Sequence, residues 1–325
     1  MKPTKNVPAS VRQRLFNRAK NDKRPFNELL QYYAIERFLY RLSRSTHADC
    51  FILKGALMLR VWLSPDKSVG TADLDARSEP ARKRAIDDEH QFRPTMDIDM
   101  LGKTSNDEAS IIAQIRDIMT VVVEPDGLIF DPDSIQSERI TEDADYEGIR
   151  IRFRGTLDSA RVSMQIDIGF GDIVYPGPEE SDLPTMLGSP VPRLLCYSRE
   201  SAIAEKFEAM VKLGALNSRM KDFYDIWLLS RQFDFDGAKL AEAIRLTFER
   251  RGTAMPVEIE AFDEAFISAK QIQWSAFWKR LQQDHVPVSF LDIVSAVKIF
   301  LVPVAFAISQ GNSKPVSWIA SGLWN

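Results

Sequence analysis

Apolar residues are spaced differently in successive stretches of this chain, and the changes of spacing predict its organisation. VPASVRQRLFNRAKN carries Val11, Leu15, Phe16 and Ala19 at helical intervals, which predicts a first helix. A second helix is predicted from about Asn27 to Ser43, with Asn27 as N-cap and Leu29, Leu30, Tyr33, Phe38 and Leu42 on one face. CFILK then reads as a short buried strand, Gly55 ends it, and ALMLRVWL reads as a helix. Residues 65–92 are polar, charged and poor in aromatics, which predicts a surface insertion. MDIDML alternates charged and apolar positions as a half-buried strand does, and a helix is predicted over 107–119.

SIQSERIT, YEGIRIRFRG and ARVSMQIDIGF continue the strand pattern, with period two clearest in GIRIRFR and VSMQIDI. Pro176, Gly177 and Pro178 open a turn-rich linker that runs to about Pro192. Beyond it the spacing turns helical. Ser198 can cap a helix with Ile203, Phe207, Met210 and Gly214 on one face. Asn217 can cap the next, which carries Arg219, Asp222 and Asp225, and at least three more helices follow. The predicted class is α+β: an N-terminal helical segment (1–45), a mixed sheet with flanking helices (46–190, interrupted by 65–92), and a helical C-terminal domain (191–325).

Composition narrows the compartment and the partners. Apolar residues make up 45% and charged residues 27%, with a net charge of -4, so the whole chain is no polyanion-coating protein. The two cysteines, Cys50 and Cys196, have no metal-like spacing, and the three histidines are scattered. MKPTKNVPAS lacks the apolar segment of a signal peptide. The apolar run Ile293 to Ile308 holds Lys298 and Pro303 and reads as a buried helix rather than a membrane span. The expected location is the cytoplasm, without a membrane partner.

Candidate chemistry lies in three places, in order. Lys54-Gly55-Ala56 sits at a strand-to-helix turn, Asp97-Ile98-Asp99 on a predicted strand, and Asp167 on a later strand in QIDIGFGD. Residues i and i+2 of a strand share a face, so Asp97 and Asp99 project together and repel each other. Magnesium resolves that repulsion and prefers carboxylate plus substrate phosphate oxygen. Asp167 would complete a two-metal site for in-line phosphoryl displacement. Gly55 would let backbone approach closely, with a helix N-terminus favouring phosphate. Each piece also has a plainer explanation. Asp-x-Asp often marks a solvent-facing strand, and this chain has a second such pair at Asp73 and Asp75.

As a set these segments resemble the AbiEii/AbiGii family of nucleotidyltransferase-like toxins, which includes the MenT toxins. The resemblance runs through YYAIERFLYRLSRS, FILKGALMLRVW, RPTMDIDMLG, QIDIGFGD, SAIAEKFEAMVKLG and SRMKDFYDIWLL, nearly the whole chain except 65–92. It implies a DNA polymerase β-like nucleotidyltransferase core, magnesium or manganese, and an NTP substrate. It also implies a toxin neutralised by a cognate antitoxin, with tRNA ends as acceptors in some members and phage defence in others. Carried onto this chain, Asp97 and Asp99 match the metal-binding pair. Lys206 matches a lysine expected near the triphosphate, and Asp222 an aspartate expected to orient it.

Two departures stand out. Ala56 follows Gly55 where the family often has serine or glycine, so a phosphate-holding hydroxyl is absent. Gly55 and Asp97 are 42 apart, and the 28 residues of 65–92 account for most of that spacing. The insertion could be a lid, a specificity element or an antitoxin contact.

Further candidates for nucleotide contact are Arg93, Thr95 and Arg219. Arg150, Arg152 and Arg154 alternate on one strand face, and the first 25 residues hold eight Lys or Arg against one acidic residue, Asp22; both are candidate RNA phosphate contacts. The expected activity is transfer of a nucleoside monophosphate from an NTP to an RNA acceptor such as tRNA. The alternatives are the same fold modifying a protein or small molecule, and a degenerate nucleotide-binding interaction protein.

Overall fold

The structure is a computed structural model that describes residues 6–63, 95–142, 146–311, 316–320 and 322–325. The predicted insertion at 65–92 and the candidate Arg93 lie outside the described residues. The chain divides into two compact units. One holds the N-terminal helices and the sheet; the other holds 172–178 and the chain from Tyr197 onward.

In the first unit, α1 (Val7–Asn21) and α2 (Phe26–Ser43) pack on each other, and α2 packs on the sheet. These helices, which the sequence sets apart as a segment, thus share the sheet's unit. Asn6 caps α1 by accepting the Ala9 N–H, and Val11, Leu15 and Ala19 are buried while Phe16 is exposed. α2 starts one residue earlier than expected. Pro25 occupies its cap position, so Asn27 lies in the first turn instead.

The sheet has seven strands in the order β3-β4-β5-β2-β1-β7-β6. They are β1 (Phe51–Lys54), β2 (Ile98–Gly102), β3 (Leu128–Glu142), β4 (Tyr146–Leu157), β5 (Ala160–Phe170), β6 (Glu179–Asp182) and β7 (Arg193–Cys196). β2–β5 and β1–β7 are parallel and the remaining pairs antiparallel. α3 (Leu57–Trp62) follows β1, and α4 (Glu108–Met119), capped by Asp107, follows β2.

The stretch 176–192 is more than a linker. It contributes the edge strand β6, and RLLC beyond it forms β7. Four-residue strands give too few alternations to stand out in a sequence rich in Pro and Gly. β3 also begins earlier than SIQSERIT and contains a register shift between Asp131 and Gln136.

Alternation divides the sheet into two faces. Ile98, Met100, Ile149, Ile151, Phe153, Met164, Ile166 and Ile168 are buried. Phe38 of α2 meets Phe130 and Phe153 at centroid distances of 5.9 and 5.4 Å, which anchors α2 on that apolar face. The intervening residues form a polar face.

The second unit is helical: α5 (Arg199–Leu213), α6 (Met220–Gln232), α7 (Gly237–Arg250), α8 (Glu264–Leu281) and α9 (Phe290–Gln310), with a two-stranded sheet of β8 (Phe235–Asp236) and β9 (Ser317–Trp318). Ser198 caps α5 as its sequence predicts. Arg251 ties 172–178 to the helices through Asp172 at 3.0 Å and Glu208 at 2.9 Å. α9 is long and apolar enough to cross a membrane by length and composition. Its Ile293, Val294, Val297, Phe300, Leu301 and Val304 are buried in this unit.

Candidate functional site

Strand register lines up charge across the polar face. Lys54 lies opposite Asp99, Asp99 beside Asp167, Asp167 opposite Arg150, and Arg150 opposite Glu138. Cross-strand partners project from the same face, so these five side chains form one row. The row follows from burial. Ile98, Met100, Ile166 and Ile168 must face the core, and a period of two turns Asp99 and Asp167 the other way.

Gly55 shapes the end of this row. Its φ is 73°, and a β-carbon there would come within 2.7 Å of Cβ and Cγ of Asp99. A glycine is required twice over, by the left-handed backbone and by the carboxylate lying over it. The helix after it is shorter than ALMLRVWL suggests. Six residues make fewer than two turns, and Ala56 precedes them without a side-chain cap. The role of Gly55 is therefore to make room for Asp99, not to open a long helix dipole. Lys54 is buried, with its ammonium over Gly169 on the same face.

Asp97 lies one residue before β2 rather than within it. The bend that carries it is pinned by Thr95, whose N–H donates to the Tyr32 hydroxyl at 2.9 Å and whose own hydroxyl donates to the Asp97 carbonyl at 3.3 Å. The Thr95 hydroxyl, a candidate for nucleotide contact, here bonds the backbone at the approach to the strand.

Asp167 is held by Arg150 through two hydrogen bonds, Nε to Oδ1 at 2.8 Å and Nη2 to Oδ2 at 2.7 Å. These bonds raise the Arg150 pKa above its ordinary value. The three carboxylates expected to make a two-metal site do not form one compact group: among the described residues, no cluster of three or more His, Cys, Asp or Glu is arranged to hold an ion. The Asp97 and Asp99 donors by themselves still suit magnesium, which takes one or two protein carboxylates and completes its shell with phosphate and water.

Three of the basic residues near the N-terminus have partners within the protein. Arg14 donates to the Leu187 carbonyl at 2.6 Å, Arg18 to that of Met186 at 2.5 Å, and Arg24 pairs with Glu28 at 2.5 Å.

In the helical unit, α5 and α6 bring Lys206 to two aspartates. Nζ donates to Asp222 Oδ1 at 3.3 Å and lies 3.0 Å from Asp225 Oδ2. Asp222 and Asp225 are 4% and 2% exposed, so Lys206 offsets two buried charges. Arg219 approaches Asp222 more loosely, at 3.9 Å. The i, i+3 spacing read from the sequence puts Asp222 and Asp225 on this face of α6, with Arg219 at its N-cap. Asp225, which the sequence leaves as a possible scaffold residue, is the closer partner of Lys206. Asn217 does not cap α6 directly; it accepts the Arg219 N–H at 2.8 Å, and the helix starts at Met220.

No curated protein gives a significant match to this chain. Among solved structures, the Helicobacter pylori protein JHP933 is 10% identical with a TM-score of 0.45, covering 87% of this chain and 94% of its own. A provisionally assigned nucleotidyltransferase of H. pylori is 12% identical with a TM-score of 0.44, covering 85% of this chain and 94% of its own. The decisive match is to the profile described as "Nucleotidyl transferase AbiEii toxin, Type IV TA system", which spans residues 37–296. That span takes in the Gly55 turn, Asp97, Asp99, Asp167, Lys206 and the α6 aspartates, and the chain belongs to the AbiEii nucleotidyl transferase toxin family.

Proposed function

We propose that the protein is a cytoplasmic toxin that transfers a nucleoside monophosphate from an NTP to an RNA acceptor such as tRNA, and is held in check by a cognate antitoxin. The observation that carries this reading is the cross-strand row in which Asp99 stands between Lys54 and Asp167, with Gly55 shaped around its carboxylate.

Asp97 and Asp99 would hold a magnesium ion, which when bound neutralises phosphate charge and orients the reacting phosphate. The acceptor hydroxyl oxygen forms a bond to the α-phosphorus, the bond from that phosphorus to the bridging oxygen breaks, and pyrophosphate leaves. Asp167 would complete the site or act as base for the hydroxyl proton, and its pairing with Arg150 holds it in one orientation beside Asp99. The role that family resemblance gives Lys206 is triphosphate binding, and its pairing with Asp222 and Asp225 supports a fixed ammonium.

The direct test is incubation with each α-labelled NTP, magnesium and total tRNA, beside Asp97→Asn and Asp99→Asn. Label on tRNA that both substitutions abolish supports the reading. Undiminished label in both variants, or none from the intact protein, sinks it.

A further inference from the structure

A bulge in β3 walls a pocket on the polar face of the sheet. Asp131 opposes Arg154 and Gln136 opposes Arg152, so residues 132–135 stand against Phe153 alone and leave the ladder. Ser134 braces the bulge, donating its hydroxyl to the Asp131 carbonyl at 2.6 Å and accepting the Arg154 N–H at 2.8 Å. Met96 and Asp97 form the other side, where β2 has not yet begun. Gln31 bridges that gap, donating to the carbonyls of Ser163 at 2.9 Å and Met96 at 3.0 Å. The pocket, open to solvent on one side, has a volume of about 810 Å³, which is ample for a nucleotide.

Asp97 lines this pocket and Asp99 lies over Gly55. In-line displacement needs the incoming and leaving oxygens on opposite sides of phosphorus. The pocket at Asp97 is the candidate place for one of them.

We propose that the bulge-walled pocket binds the terminal nucleotide of a single-stranded nucleic-acid acceptor and presents its hydroxyl at Asp97. This rests on the transfer reading above. Arg152 and Arg154 share a face about 7 Å apart along β4, comparable to one nucleotide step. Arg152 pairs with Glu138 at 3.0 Å and Arg154 with Asp131 at 3.4 Å, and the two arginines are 46% and 69% exposed. Exposed pairs of this kind are weak, so phosphate competes for these guanidiniums. Met96 and Ile135 supply apolar surface for a base. Asp133 and Gln136 offer acceptors and donors to its edge, while Gln165 is taken up by Arg152 and Asp167.

The test is fluorescence anisotropy with an end-labelled RNA oligonucleotide carrying an unpaired 3′ tail, measured without NTP. Two variants are compared with the intact chain: Arg152→Ala with Arg154→Ala, and Ser163→Trp, which places a large ring at a lining position. The inference expects Kd to rise about 10-fold or more in both, and the salt slope of the double variant to fall by about two phosphates. The KM for NTP should stay within about two-fold. Unchanged RNA affinity in both variants overturns it. So does a loss of NTP binding in place of RNA binding, which would give the pocket to the donor base, and so does label transferred to protein side chains with the same dependence on these residues. The two readings fail separately. RNA binding through these residues without Asp97-dependent transfer sinks the transfer reading alone. Transfer with unaltered RNA affinity in the variants sinks the pocket alone.

Discussion

Gly55 and Asp99 divide one small volume between them. The glycine's missing side chain is where the aspartate's carboxylate lies, with Cβ and Cγ of Asp99 2.7 Å from where a β-carbon would be. Gly55→Ala therefore displaces Asp99 and also strains a backbone with φ of 73°. A shift of about 1 Å at a reacting group can cost about 100-fold in rate. Transfer by this variant should fall by about that factor, with the melting temperature lowered as well. Wild-type turnover in Gly55→Ala would show that Asp99 does not need its present position.

Arg150 neutralises an Asp167 side chain that is 12% exposed. Arg150→Ala should destabilise the sheet unit by about 2 kcal/mol, less than the 3–5 kcal/mol of a fully buried pair because Arg150 is partly exposed. Adding Asp167→Asn should restore much of the loss, since the uncompensated charge is then gone. Denaturant unfolding of the two single variants and the double variant gives the coupling. Additive effects would mean that the pair contributes little.

Removing Lys206 should disturb folding as well as chemistry. Lys206→Ala leaves Asp222 and Asp225 buried without the ammonium between them, a change expected to cost about 3–5 kcal/mol. Calorimetry should show the drop, and Asp225→Asn added to Lys206→Ala should recover part of it. A variant as stable as the intact chain but inactive would assign Lys206 to substrate alone.

His285 is expected to add a small acid sensitivity to the helical unit. His285 is exposed on one side, and partial desolvation lowers its pKa from 6.5, with Asp284 opposing, where its ring stacks on Trp227 at 6.4 Å. The folded state thus prefers the neutral ring. Its contribution to stability is present above the unfolded pKa and is lost as pH falls through the folded one. Thermal melts from about pH 7.5 to about pH 5 should decline, and His285→Gln should flatten that decline. An identical slope in both would assign the acid sensitivity to other groups.

The long strands and helices could be read from the chain because they repeat their period many times. α1 spans the residues that its apolar spacing marks out, and β4 and β5 contain the predicted alternations. β6 and β7 could not be read this way. At four residues each, they owe their existence to an available edge beside β1. Pro132 inside β3 was a signal of the bulge, since proline within a strand favours one, but the walls that complete the pocket come from distant α2, the residues before β2, and β4 and β5.

The sequence by itself determined which residues could carry charge chemistry and which face each would take. Alternation puts Asp99 and Asp167 away from the core, and a three-residue spacing puts Asp222 and Asp225 on one helix face. It also determined the family, through motifs spread along most of the chain. The pairings were decided by tertiary structure: Asp167 with Arg150, Asp99 over Gly55, Asp225 nearest Lys206. Register between strands distant in sequence sets the first two and helix packing sets the third. A local pattern fixes the direction of a side chain but not the neighbour that meets it.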